Sequence, residues 1–398
     1  MAERKLANWL ESYMEYTENS EPAYLFRKWS AVSVLAAVLR RKCYMPILYN
    51  VYPNMYIALV GPPGASRKGT AMEPGLRLLR RLGIKLAADA TTREALIREL
   101  SETTEMYIDG TGKKAGMHSS ITIYSKELAV FLGFKNPMLL ADLCDWFDCN
   151  ERWKNQTKNC GVEDIINVWV NLIGATTPDL LQSMLPPDVV GGGLTSRTIF
   201  VFEATKGKVV PLPFPTSKEL KLLEDLYSDL EQISTTTGAF AVTRSWTDSY
   251  VMWYTGPAQI PVFRSGPLQY YNDRRQIHLM KLCIIMCVSR TDSMVIDGCD
   301  FDSALKLLQE TEAKMHHAFG GFGKNKEADV QFRIMQTIGI NKKTTVADLM
   351  RYYHQDIDKD TLASILYTLE QMKFCTLKAT DVGTIVEFIS STENLKTL

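Results

Sequence analysis

The segment YIALVGPPGASRKGTAMEPG, from Tyr56 to Gly75, carries the residue types best suited to chemistry in this chain. A glycine-rich turn between a buried strand and a helix lets backbone N–H groups close around phosphate oxygens, and the helix N-terminus adds positive potential. A strict G-x-x-x-x-G-K-[ST] begun at Gly61 would place Ser66, Arg67 and Lys68 where the second glycine, the lysine and the hydroxyl residue belong. One extra residue in the turn restores the roles, with Lys68 on phosphate and Thr70, one position late, as the hydroxyl for Mg²⁺. In the other register Arg67 takes the phosphate. The cradle is then Gly61, Pro62, Pro63, Gly64, Ala65, Ser66, Arg67, Lys68, Gly69 and Thr70. The competing account is an ordinary Gly/Pro turn bearing surface cations.

Nucleotide hydrolysis also needs a carboxylate at the end of a neighbouring strand, to orient water and help hold a metal. In ITIYSKELAVFLG, Glu127 follows the apolar run Ile121 to Tyr124; the usual adjacent acid is missing, because Ser125 or Lys126 stands in its place. Asp109 in MYIDG is a second candidate, although Asp before a Gly/Lys turn is favoured for conformational reasons alone. A strand ending in Ala175-Thr176-Thr177-Pro178 would set Thr176 at the carboxyl edge of a sheet, either as a γ-phosphate sensor or as a turn hydroxyl. Three glycines, Gly191 to Gly193, precede Leu194-Thr195-Ser196-Arg197 and another strand. Arg197 can serve as an arginine finger on a neighbouring subunit's nucleotide, or as a structural ion-pair partner at a strand start.

These residues must be positioned by strands and helices. Trp29, Val32, Leu35, Ala36 and Leu39 recur at helical spacing, so residues 1–50 read as a helical segment closed by the cations Arg40, Arg41 and Lys42. Met55–Val60 has the length and flanks of a buried strand, and a helix is expected over Thr70–Leu82. Further strands at 121–124, 169–174 and 197–202, separated by helix-compatible segments, imply an α/β core over residues 51–210: a mostly parallel sheet with helices on both faces. Residues 211–319 read as a helical lid with amphipathic helices at Ser217–Ile233 and Asp273–Val288, and the glycines of 320–327 as a linker. Residues 328–398 show three helices and a hairpin about Thr380–Gly383, the order of a winged helix.

The stretches GPPGASRKGT, SKELAVFLG, NLIGATTP and GGGLTSRTIFVFE, in this order and spacing, resemble the P-loop ATPase domain of phage and mobile-element replication proteins, a helicase-like family related to the AAA+ class. VYPNMYIALVGPPG is also similar to that family, and the resemblance spans roughly Leu25 to Arg290. It implies an AAA+-like P-loop NTPase fold, with ATP and Mg²⁺ bound between subunits of a ring, expected to be a hexamer acting as a replicative DNA helicase or motor. Lys68, Thr70, Glu127, Thr176 and Arg197 match the phosphate, metal, water, sensor and trans-arginine positions. Arg274 or Arg275 in YYNDRRQIHLMKLC matches the second sensor of the lid. A nucleotide-switched initiator or helicase loader, and a DNA-binding regulator on a degenerate ATPase scaffold, are the alternatives.

Composition narrows the field. The 398 residues are 46% hydrophobic and 23% charged, ordinary globular usage that excludes a disordered or collagenous chain. Formal net charge is zero, yet Arg27 to Arg98 holds thirteen Lys or Arg against three acids, a local excess of ten that suits a nucleic-acid backbone. Lys324 to Leu398 is balanced at ten and ten, compatible with either DNA or protein contact by the winged helix. Lys113, Lys114 and His118 lie in a segment, 113–120, that is either a DNA-contacting pore loop or a surface turn. Eight cysteines without a C-x-x-C pair make neither a disulfide framework nor a convincing metal group at Cys144, Cys149 and Cys160. Apolar runs such as Val34–Leu39 are too short to span a membrane, and the first residues lack a secretory pattern. The expectation is a cytoplasmic protein, in a bacterial host cell if phage-encoded, acting with DNA and other replication proteins; no primase signature is visible.

Overall fold

A computed structural model describes residues 4–108, 115–133, 136–157, 161–185, 193–320, 326–354, 356–380 and 383–389. The chain divides into two compact units, Met1–Phe319 and Gly320–Leu398, so residues 1–50, 51–210 and 211–319 share one unit.

The first unit is a mixed α/β structure built on a five-stranded sheet. Its strands are β1 (Tyr56–Val60), β2 (Thr104–Ile108), β3 (Ala115–Ser125), β4 (Val168–Thr176) and β5 (Thr198–Phe202), in the order β2-β3-β4-β1-β5. β3, β4, β1 and β5 run parallel, and β2 pairs antiparallel with the first half of β3. Leu86 adds a parallel bridge to β3 at Thr122. Every residue of β1 and β4 is buried. Their largely apolar character follows from helices covering both faces, where an alternating pattern would expose half the strand.

The Tyr24–Leu39 helix is buried along almost its whole length and packs against the Lys68–Arg81 helix and β4. The Pro137–Phe147 helix is tied to β1 by Tyr56, whose hydroxyl donates to the Leu143 carbonyl at 2.8 Å. Several polar residues are buried in the core, and one of them ties β4 to its neighbours. Asn171 of β4 is fully buried; its Oδ1 accepts from the Met55 N–H at 3.0 Å, and its Nδ2 donates to the carbonyl and hydroxyl of Ser33 at 3.3 and 3.1 Å. A buried amide satisfied on both sides costs little, whereas an unsatisfied one costs about 1–3 kcal/mol.

Residues 1–50 are not helical throughout. The helix stops at Leu39, Arg40–Lys42 form a 3₁₀ turn, and Cys43–Pro46 pairs antiparallel with Asn50–Val51 and parallel with Gly238–Ala239. Nor do Arg41 and Lys42 form a solvated cationic turn. Arg41 donates to the carbonyls of Cys149, Asn150 and Val168, and Lys42 to that of Ser234, with burial pushing the Lys42 ammonium down to about 8. Two of the thirteen clustered cations are thus committed to the interior.

Residues 211–319 supply helices Ser217–Ile233, Arg244–Thr255, Tyr271–Arg290 and Gly298–Met315, with a short parallel pair Ala241–Val242 and Val295–Ile296. Among the described residues no helix is long and apolar enough to cross a membrane.

The second unit has helices Lys326–Asn341, Val346–Tyr353 and Lys359–Gln371, and strands Lys343–Thr345, Cys375–Thr380 and Gly383–Phe388, with the last strand central in an antiparallel sheet. Thr345 and Asp358 cap the second and third helices by accepting from the N–H groups of Asp348 and Thr361. Ile334, Ile338, Leu349, Leu362, Leu369 and Val386 anchor a separate core.

Candidate functional site

The glycine-rich turn sits at the carboxyl edge of the parallel sheet, where loops diverge and ligands of open α/β folds bind. Its start is held from both sides: the Gly61 N–H donates to the Thr176 carbonyl at 3.3 Å, and the Glu203 N–H to the Val60 carbonyl at 3.2 Å. Only glycine fits at 61, because an added Cβ would lie 2.4 Å from the Glu203 carbonyl oxygen and 2.6 Å from Ser66 Oγ. The turn closes through Gly64 at φ 70° and Arg67 at φ 56°, both left-handed, and the helix begins at Lys68. Its ladder opens with the Ala71 N–H donating to the Arg67 carbonyl at 3.1 Å, which leaves the N–H groups of Lys68, Gly69 and Thr70 ahead of it.

Lys68 turns back into the loop. Its Nζ donates to the carbonyls of Gly61 at 2.6 Å and Pro62 at 3.0 Å, with Ser66 Oγ at 3.4 Å. Burial pulls the Lys68 ammonium below the usual lysine range, and the Glu127 carboxylate pushes it back up. A Cβ at Gly64 or Gly69 would meet nothing within 4 Å, so the space over the turn and the helix start is open. Arg67 points elsewhere, pairing at 2.8 Å with Glu21, which also holds Lys206 at 2.5 Å. Of the two registers weighed from the sequence, it is Lys68 whose ammonium enters the loop. Thr70 is exposed on the first helical turn, one residue beyond Gly69.

Thr176, buried at the end of β4, stands directly beside Val60 in the sheet register, its hydroxyl directed at the Thr177 carbonyl at 3.4 Å. Glu127 leaves the end of β3, exposed, immediately ahead of the short Leu128–Leu132 helix. That helix rests on β4 at Gly174, where a Cβ would lie 2.7 Å from Leu128 Cδ1 and 2.9 Å from its Cβ. Lys68, Thr176 and Glu127 therefore share one edge of the sheet. Beside Glu127, Ser125 is buried at the strand end and Lys126 reaches Glu73 at 2.6 Å, so no second carboxylate accompanies it in the chain.

The two arginines belong to the opposite edge. Thr198 pairs with Tyr56 and Phe202 with Val60, so Arg197 lies at the amino end of the strands, about 13 Å of strand from the turn. Arg197 donates through Nη2 to Asp148 Oδ2 at 2.5 Å and through Nη1 to the Gly193 carbonyl at 3.0 Å. Arg274 donates to the other oxygen, Asp148 Oδ1, at 2.9 Å. Arg275 is a structural residue: it forms a buried two-point pair with Glu312 at 2.6 and 2.7 Å, and the Tyr271 hydroxyl donates to the same carboxylate at 2.9 Å.

Lys113 and Lys114, like Asp109, fall outside the described residues. His118 is not a loop residue. It lies on β3, 1% exposed, with Nδ1 2.9 Å from Ser120 Oγ and its ring against Tyr107. Burial, reinforced by Arg40, Lys42 and Arg41, pushes its pKa down to about 3, so it offers no cation to a phosphate. Asp148, Glu203 and Glu21 escaped the sequence reading. Nothing in FDCNER marks Asp148, and Glu203, paired with Lys314 at 2.9 Å, reads only as the residue after a strand. Among the described residues no group of three His, Cys, Asp or Glu side chains is placed to hold a metal ion.

No family model matches this chain, and no curated protein matches it.

Proposed function

We propose that the chain is a P-loop ATPase of the AAA+-related, helicase-like kind, acting on DNA as a ring, a hexamer in the first instance, with ATP held between neighbouring copies. One observation carries this reading: a glycine turn at the carboxyl edge of a parallel sheet whose Lys68 ammonium, at the first residue of the helix, is satisfied among the described residues by loop carbonyls and a hydroxyl. A triphosphate is a stronger acceptor than carbonyls, and a Cβ at Gly64 or Gly69 would meet nothing within 4 Å, so neither position is covered. Thr176 is then poised at the phosphates and Glu127 at the attacking water. Mg²⁺ would neutralise charge on the phosphates, and the Thr70 hydroxyl would be its protein ligand, the remaining positions being filled by waters and phosphate oxygens. Arg197 and Arg274, at the far edge, serve the nucleotide of the next copy rather than their own. The three helices and antiparallel sheet of the second unit support a winged helix there, available to DNA or to other replication proteins.

The test is ATP turnover with and without single-stranded DNA. Wild type should be stimulated by DNA, Lys68→Ala should lose nucleotide binding, and Glu127→Gln should bind ATP but turn it over at least about 10²-fold more slowly. Mixing inactive Lys68→Ala with inactive Arg197→Ala copies should restore turnover, since each supplies what the other lacks. Wild type that binds no ATP would sink the proposal. A second reading, a nucleotide-switched initiator or loader, draws on the Ser125-Lys126 pair beside Glu127, where the metal-side acid is missing. It predicts ATP-dependent assembly on DNA without strand separation.

A further inference from the structure

The amino edge of the sheet holds an arrangement that the phosphate loop does not use. Arg197, ending the Gly193–Arg197 turn, and Arg274, on the Tyr271–Arg290 helix, reach separate oxygens of one carboxylate, Asp148. Two guanidinium groups converging on one anion from different elements form a clamp for an oxyanion, and Asp148 is its resident occupant. The carboxylate is 39% exposed and borders a cavity of about 620 Å³, so another anion can approach it. Arg197 is withdrawn, only 12% exposed, and cannot reach past its own surface without leaving Asp148. Of the cations that line the cavity, Arg274 is the one on Asp148; Arg41 donates to three backbone carbonyls, and Lys281 to the Tyr52 carbonyl and the Asn54 side chain. The chain's own phosphate loop lies at the other edge, so the displacing anion comes from another molecule.

We propose that Asp148 is a parking carboxylate: in the lone chain it holds Arg197 and Arg274 back, and the terminal phosphate of a nucleotide bound by a second copy of this chain takes both from it. This rests on the ATPase reading above and adds its regulation. The exchange is one anion for another, with no covalent step. It makes assembly and release of the arginines a single event, and it holds the isolated copy inactive.

The experiment is ATP turnover by the full chain as a function of its concentration, for wild type, Asp148→Asn and Asp148→Glu. Removing two part-exposed ion pairs should lower the half-saturating protein concentration of Asp148→Asn about fivefold, with the curves meeting at saturation. Asp148→Glu, which keeps the charge, should follow wild type. Unchanged Asp148→Asn overturns the inference alone. So does a folded Asp148→Asn that loses turnover at saturation as Arg197→Ala does, because Asp148 would then be positioning the arginine. Wild type without turnover overturns the ATPase reading and the inference with it. Should Asp148→Asn fail to fold, wild type decides. Its Arg197 side-chain N–H resonance, identified by its loss in Arg197→Lys, should shift when a non-hydrolysable ATP analogue is added at saturating protein, and an unmoved resonance overturns the inference.

Discussion

Gly174→Ala probes the seat of Glu127 without touching Glu127. The new methyl would lie 2.7 Å from Leu128 Cδ1, 2.9 Å from Leu128 Cβ and 3.1 Å from Leu128 Cγ. Comfortable carbon contacts are about 3.5–4.0 Å, so Leu128 must withdraw by about 1 Å. A rotamer change relieves Cδ1 but not Cβ, which moves only with the backbone, and that backbone carries Glu127. Leu128 is 3% exposed and has no solvent to move into. Overpacking of this kind costs about 1–3 kcal/mol, a fall of about 2–5 °C in melting temperature for a unit of this size. A 1 Å misplacement of a water-orienting group costs up to about 10²-fold in rate. Thermal unfolding followed by circular dichroism reads the first effect and ATP turnover the second. Leu128→Ala, harmful alone, should be less harmful in the Gly174→Ala background, giving a coupling of at least about 0.5 kcal/mol. A Gly174→Ala chain that melts and turns over as wild type, with strictly additive double-variant costs, would refute the placement of the Glu127 turn on β4.

Two further perturbations test the packing around the site. Glu312→Gln leaves the Arg275 guanidinium, 8% exposed, without its counter-ion, and should cost about 3–5 kcal/mol in urea unfolding; a loss below about 1 kcal/mol would show that the pair is dispensable. Acid should destabilise the first unit through two buried imidazoles. Burial holds His118 down at about 3 and His278 at about 4, so the unfolded chain binds protons first, and stability is complete above about pH 6.5 and falls below it. At pH 5 each histidine costs about 2 kcal/mol, and His118→Asn should remove its share of the slope in denaturant titrations at pH 7 and 5.

Much of the framework was legible because its signals are local. The run Met55–Val60 is β1 with one residue to spare, the Ser217–Ile233 helix has the expected ends through the capping box at Thr216 and Glu219, and Gly320 marks the division between units. Elements set by tertiary context were not. Cys43–Val51 continues the apolar character of the preceding helix, yet it pairs with Gly238–Ala239, almost two hundred residues away. Ala115–Ser120 is mostly small and polar, which reads as a loop, but it is the first half of a strand whose His118, Ser119 and Ser120 are buried, with Ser120 and His118 satisfying each other. The hairpin Arg152–Thr157 with Gly161–Ile166 is rich in charged and amide residues and lacks the β-branched alternation that marks a strand pair. The placement of Lys68, Thr176 and Glu127 at one edge of the sheet was legible from strand ends and a helix start. The meeting of Arg197, Arg274 and Asp148 was not, because no spacing rule connects a helix end to a side chain 126 residues further on.

Asn171 has a consequence for folding as well as for packing. β1 and β4 are apolar enough that their burial alone would tolerate several relative offsets, each hiding much the same surface. Only one offset lets the amide meet the Met55 N–H and Ser33 together. A slip of one residue would turn the amide to the other face, strand at least two buried polar groups and cost about 2–6 kcal/mol, enough to empty the misaligned states. The same slip would carry Thr176 away from Gly61. An uncharged side chain deep in the core thus acts as the key that decides which β4 residue arrives at the mouth of the loop.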